Sequence, residues 1–301
     1  MSNLDQISIN FNQNQVTLLN ICLGILMFGV ALDIHFSEFS YILRNPKPIL
    51  AGLFSQWILL PVLTILLIWV IQPEYTLAMG MILIASSPGG NVSNYAVHLS
   101  GANAALSVVL TTISTLMCVF TTPIIFSFFS TLLAKGNTQY PVFEIQFWDM
   151  ASSILQLIIL PMILAQLCVQ LLPVFTGKIK KIVRILSLWI FIGFVFFAVY
   201  GNLDNLVKYL GIVFFIVFIH NGLALFVGYF FSKSLLGLPV NDARAISIET
   251  GIQNSGLALI LIFNFFNGQG GMALIAAWWS VWHLISAFAL ALVWSKTKNL
   301  T

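Results

Sequence analysis

Residues 248–256, IETGIQNSG, place one carboxylate, two amides and two hydroxyls inside an otherwise apolar stretch, ARAISIETGIQNSGLALILIFNFF at 243–266. Glu249 is the only acidic residue well inside a predicted membrane span. A carboxylate at the bilayer centre costs about 2.5–3.5 kcal/mol on insertion scales, so an acid kept there marks function. Gln253 follows four residues later, and Asn254 and Ser255 add oxygens. Elsewhere Ser107, Thr111 and Ser114 recur at i, i+4 and i+7, one hydroxyl-bearing face of a helix, and Gln56 stands alone among apolar neighbours. Carboxylate, amide, hydroxyl and freed backbone carbonyl oxygens together suit a small hard cation. Sodium is the ion expected. Taken singly, each hydroxyl has a plainer role, bonding back to the i−4 carbonyl or joining two helices, and Gln56 could equally be interhelical glue.

A second polar interruption lies in ILIASSPGGNVSNYAVHL at 82–99. Pro88 removes a donor and disfavours helix at Ser87, and Gly89 and Gly90 ease departure from helical geometry. Asn91 or Ser93 can then cap a new half-helix. One such interruption alone could be a kink, because Gly and Pro are common in membrane helices. Two in separate spans favour functional breaks, since backbone unwinds at membrane depth only where it is buried in protein or lines a wet cavity.

These stretches need a membrane scaffold. Of 301 residues 59% are hydrophobic and 7% charged, which no soluble fold of this size would carry. Continuous apolar runs rather than alternation exclude a barrel. The reading is an all-α polytopic membrane protein with about nine transmembrane helices, near 16–33, 48–71, 75–98, 104–133, 149–172, 185–201, 209–231, 243–266 and 271–294. A polar tail, 1–15, precedes them and 295–301 follow. With the N-terminus outside, the inner segments hold Arg44, Lys47, Lys178, Lys180, Lys181, Arg184, Lys233, Arg244, Lys296 and Lys298, the outer ones only Lys135 and Lys208. That bias orients the chain N-out and C-in and supports an odd number of crossings. The bilayer expected is the inner (plasma) membrane. The first apolar run is not a signal peptide, for no basic residue precedes it.

Spans 3 and 8 run in opposite directions, and each is followed by a helix opening Ala-Leu (Ala105-Leu106, Ala273-Leu274). Spans 1–4 and 6–9 thus look like inverted repeats joined through span 5, and paired interruptions in inverted halves point to a transporter's central site. One carboxylate cannot neutralise two monovalent cations, and restarted half-helices add positive dipole ends. An organic anion is therefore the substrate class expected. His220 and His283 either contribute to the cavity or pack as satisfied histidines, and His98 is read as interfacial. Cys22, Cys118 and Cys168 lack metal spacing and read as small hydrophobes. No basic face suggests nucleic acid. No HExxH or GxSxG occurs, so no enzyme is expected. The net charge of +3 reflects membrane orientation.

The runs SPGGNVSN (87–94), ALSVVLTTIST (105–115), IETGIQNSGLA (248–258), SVWH (280–283) and HNG (220–222) resemble the bile acid:sodium symporter family, from about Gly24 to the C-terminus. The resemblance implies two broken crossing helices in a core domain (about 48–133 and 209–294) that moves against a panel domain (about 16–47 and 149–208). It implies two sodium ions: one at Ser93, Asn94, Ser107, Thr111 and Glu249, the other at Gln56, Glu249, Gln253 and the backbone carbonyls of Thr250 and Ile252. Substrate would lie near Asn91 and Asn254, with His283 a further candidate. Two cavity-bordering positions depart from the common bacterial pattern, Asn91 for Thr and Leu284 for Asn. The substrate therefore stays open among bile-acid-like steroids and small carboxylates such as pantoate or a 2-keto acid. The function expected is a monomeric sodium-coupled symporter; the alternative is a sodium/proton antiporter using Glu249.

Overall fold

In a bilayer each backbone polar group must be satisfied within the protein, and long apolar runs do so as helices. The computed structural model describes residues 13–32, 46–136, 146–200 and 203–297, and among them the regular elements are helical. They are α1 (Gln13–Ala31), α2 (Pro46–Ile71), α3 (Tyr75–Ser86), α4 (Val92–Leu99), α5 (Ala104–Gly136) and α6 (Phe147–Leu171). Then come α7 (Pro173–Tyr200), α8 (Leu203–Phe230, extended by a wide turn Phe231–Leu235), α9 (Val240–Gly251), α10 (Ser255–Phe265) and α11 (Gly270–Thr297). Among the described residues five helices are long and apolar enough to cross a membrane: α2, α5, α6, the Gly211–Leu235 part of α8, and α11. The N-terminal tail 1–12, the inner-loop Arg44 and the end of the chain with Lys298 lie outside the described residues.

One boundary differs from the sequence reading. The basic segment 173–184, expected as a connection, is the first half of α7. Pro173 sits at the helix start, where its missing N–H costs nothing, and the lysines that follow are good helix formers.

Both interruptions are present. The third span stops at Ser86, with Ser87 extended (φ −76°, ψ 153°), and restarts at Val92. The eighth stops at Gly251, with Ile252 extended (φ −103°, ψ 109°), and restarts at Ser255. The two breaks pair with each other in antiparallel fashion at Gly89 and Gln253. Gly90 N–H donates to Ile252 O at 3.0 Å and Asn254 N–H to Pro88 O at 2.8 Å. Each break thus satisfies backbone groups that the other exposes. The approach is close enough to favour glycine. A Cβ on Gly90 would lie 3.0 Å from Ile252 Cγ2 and 3.1 Å from Gln253 O; one on Gly89, 3.0 Å from Gln56 Nε2 and 3.1 Å from a Glu249 oxygen.

Apolar packing flanks this crossing. One cluster unites α3, α10 and the first half of α11 with side chains of α1 and α6. A second unites the start of α2 with α4, α9, the first turns of α5 and the end of α11. The polar crossing lies between them. α1 packs mainly on α6 and α7 and touches α10; α8 packs on α9 and α11, and α3 on α11.

Candidate functional site

Glu249 lies in the last turn of α9 and is fully buried. The groups that meet its oxygens come from three other helices. From α4, Ser93 donates to Oε1. From α5, Ser107 Oγ lies 2.5 Å from Oε1, and Thr111 Oγ1 lies 3.0 and 2.9 Å from the two carboxylate oxygens. From α2, Gln56 Nε2 donates to the Glu249 backbone oxygen at 3.1 Å and reaches Oε2 at 3.4 Å. Gln56 sits in a wide π turn, Ser55–Leu59, followed by Pro61. A proline cannot donate to the carbonyl four residues back, and widened turns relieve that loss.

The cluster holds more acceptors than protons. Ser107 Oγ is also 2.7 Å from Asn94 Oδ1, and Thr111 Oγ1 is 3.5 Å from it. A hydroxyl has one proton, so Ser107 and Thr111 cannot each satisfy both Glu249 and Asn94. Gln56 Oε1 and Gln253 Oε1 are buried acceptors without a hydrogen-bond partner. Surplus buried lone pairs are costly unless a positive group meets them. Hard oxygens around one carboxylate, with no metal-holding group of His, Cys, Asp and Glu among the described residues, suit an alkali cation rather than a transition metal.

Six of the expected ion-site residues therefore come together directly: Ser93, Asn94, Ser107, Thr111, Glu249 and Gln56. The other three line the adjoining break. Gln253 Nε2 donates to Thr250 O at 3.0 Å, leaving its Oε1 bare. Ile252 O accepts from Gly90 N–H. Both carbonyls keep a second lone pair.

The substrate candidates are more dispersed. Asn91 is half-buried at the start of α4 and, contrary to the expected cap, makes no side-chain capping bond there. The Ser93 hydroxyl, the other expected cap, turns to Glu249 instead, because a buried carboxylate is the stronger acceptor. Asn254, only 8% exposed, caps α10 by accepting from Leu257 N–H at 3.0 Å. His283 is buried on α11, its Nδ1 without a partner. His220 packs 4.9 Å from the Trp279 ring and meets Thr64 Oγ1 at 2.8 Å, neither of which is a partner of the carboxylate. His98 is exposed near the end of α4.

Two contacts at the site were not expected from the sequence. Ser114 Oγ accepts from Gly89 N–H at 3.2 Å, tying the first break to α5. It was part of the hydroxyl face, yet nothing in the spacing distinguishes a hydroxyl that faces a cation from one that holds a loop. Ser255 and Ser280 also join across α10 and α11, at 2.8 Å.

The sequence model described as the Sodium Bile acid symporter family matches residues 20–209. The chain is 34% identical over 281 residues to "Uncharacterized sodium-dependent transporter YocS" of Bacillus subtilis (strain 168), covering 92% of this chain and 83% of that one. It is 32% identical to "Probable sodium/metabolite cotransporter BASS6, chloroplastic" of Arabidopsis thaliana, over 93% of this chain and 68% of the relative. To "Probable sodium/metabolite cotransporter BASS2, chloroplastic" of Oryza sativa subsp. japonica it is 29% identical, over 84% and 58%. A family match over more than half the chain, joined to 34% identity over 92% of it and 83% of the Bacillus relative, identifies the chain as a member of the sodium bile acid symporter family, a family of transporters.

Proposed function

We propose that this protein is a sodium-coupled symporter that carries an organic anion across the membrane by alternating access. The observation that carries the reading is a buried carboxylate among hydroxyls and amides, with surplus oxygen lone pairs, where two broken helices pair. Ser93, Asn94, Ser107, Thr111 and Glu249 hold one sodium ion. Gln56, Glu249, Gln253 and the carbonyls of Thr250 and Ile252 hold a second. Two cations on one carboxylate leave net positive charge, and the starts of α4 and α10 add partial positive charge and N–H groups nearby. A carboxylate or sulfonate is then bound favourably only once the ions are in place, which couples the two flows. Asn91, Asn254 and His283 are the residues proposed to meet it.

In this reading α3 with α4, and α9 with α10, each make one crossing, for nine in all, and the two sets of four are inverted repeats. The core comprises α2–α5 and α8–α11 and the panel α1, α6 and α7. The packing of α1 chiefly on α6 and α7 supports that division. A small apolar crevice lies where α1 (Leu19, Cys22, Leu23, Leu26) and Ile190 of α7 meet Gly256 and Ile260 of α10. The N-terminus lies outside, the C-terminus in the cytoplasm, and the protein works as a monomer in the plasma membrane. The antiporter alternative is less favoured, because among the described residues every hydrogen-bond partner of the Glu249 carboxylate is a hydroxyl or an amide, with no second acid or lysine to exchange protons.

Uptake into proteoliposomes tests this. An inward sodium gradient drives accumulation of at least one labelled acid from a panel of bile acids, pantoate and 2-keto acids, and an equal potassium gradient does not. Lumen alkalinisation driven by the same inward sodium gradient, without any organic solute, would instead establish the antiporter.

A further inference from the structure

The HNG segment at 220–222 has no part in the ion or substrate sets, yet its asparagine contacts the broken span. Asn221 is fully buried on α8. Its Nδ2 donates to Gly251 O at 2.7 Å, and its Oδ1 lies 2.5 Å from Ser286 Oγ on α11. Gly251 O only accepts, so the amide must present its nitrogen there, and the serine hydroxyl donates to the oxygen on the other side.

The carbonyls at the severed end of α9 show why this matters. A helix end leaves its last carbonyls unpaired, and where helix gives way to extended chain a peptide unit can turn over unless both its faces are held. Here Glu249 O takes Gln56 Nε2, Thr250 O takes Gln253 Nε2 and Ile252 O takes Gly90 N–H. The Gly251–Ile252 peptide is held at both ends: its N–H donates to Ile248 O at 2.9 Å and its oxygen takes Asn221. Successive peptides of extended chain point their oxygens to opposite sides. Drawing the Gly251 oxygen toward α8 therefore turns the Ile252 oxygen toward the first break.

We infer that Asn221, oriented by Ser286, is a positioning residue for the sodium site at the second break: it locks the Gly251–Ile252 peptide so that the Ile252 carbonyl and Gln253 face the ion. The inference rests on the ion-site reading above. It assigns the α8–α11 pair a role in ion affinity without contact with the ion.

The test is thermal unfolding of purified full-length protein titrated with sodium chloride against choline chloride, read as sodium-free Tm and as half-saturating sodium concentration. Asn221→Leu raises the half-saturating concentration about tenfold or more. Ser286→Ala, a milder variant, raises it about threefold, and Ser286→Thr, which keeps the hydroxyl, restores it. A residue that only packs the two helices would lower the sodium-free Tm and leave half-saturation unchanged. That result in Asn221→Leu, or in Ser286→Ala should the first variant not fold, overturns the positioning role and leaves the ion site standing. A wild-type protein whose Tm does not respond to sodium overturns the ion site and this inference with it.

Discussion

The two breaks meet in one antiparallel contact but are built differently. The first, 87–91, is written into the chain: a proline without N–H and two glycines follow one another, and helix cannot persist through them. The second, 252–254, is Ile-Gln-Asn, which has no residue that forbids helix. It is opened by its surroundings: Pro88 O takes Asn254 N–H, Gly90 N–H takes Ile252 O, and Asn221 takes Gly251 O. The first break thus acts as a template, with preset geometry, and the second is held open against it. Function divides the same way. In the proposed function the acid belongs to the helix whose break depends on tertiary contacts, while the helix restarted after the first break contributes neutral oxygens.

Variants can break or sharpen that contrast. The largest effect is expected from Glu249→Ala, which removes the carboxylate proposed to hold sodium; sodium-driven uptake in proteoliposomes falls to background. Asn94→Ala, on the neutral side, leaves uptake measurable but needing more sodium. Next comes Gly90→Ala, whose methyl would sit 3.1 Å from the Gln253 carbonyl oxygen, a backbone atom with little room to yield. Forcing the breaks apart costs about 1–3 kcal/mol in unfolding free energy and weakens sodium-dependent stabilisation as well. Asn254→Ala loses the cap on α10 and lowers stability by about 1 kcal/mol. Asn254→Ser, which keeps a capping oxygen, restores most of the Tm, so any uptake defect left in it reports on substrate. Pro88→Ala is expected to change stability by less than about 1 kcal/mol, since the Pro88 carbonyl and both glycines remain. A large loss of sodium response in Pro88→Ala would show that the proline itself, rather than the two glycines, presets the first break.

Much of the site is legible in the sequence because its elements are local. A buried acid, a hydroxyl face at helical spacing and a proline-glycine stop each announce themselves within a turn or two. The gathering of Ser93, Ser107, Thr111, Gln56 and Glu249 follows from those signals once the spans fold on one another. Ser114 as an anchor for Gly89, the wide turn that carries Gln56, and the Asn221–Ser286 pair are not legible. Each depends on which side chain of a distant helix faces which backbone atom. The capping role expected of Ser93 misled for the same reason: local geometry offers a cap, but a buried carboxylate 156 residues away in sequence binds its proton better.

By itself, then, the order of residues determines that this chain lives in a bilayer, where its helices are interrupted and that one acid is placed at depth. These follow from transfer free energies and backbone stereochemistry, which act on each segment separately. Which oxygens meet that acid, and which peptide plane at the second break is held in place, only the tertiary structure decides, because a hydrogen bond between separate helices exists only after their packing has fixed its distance and direction.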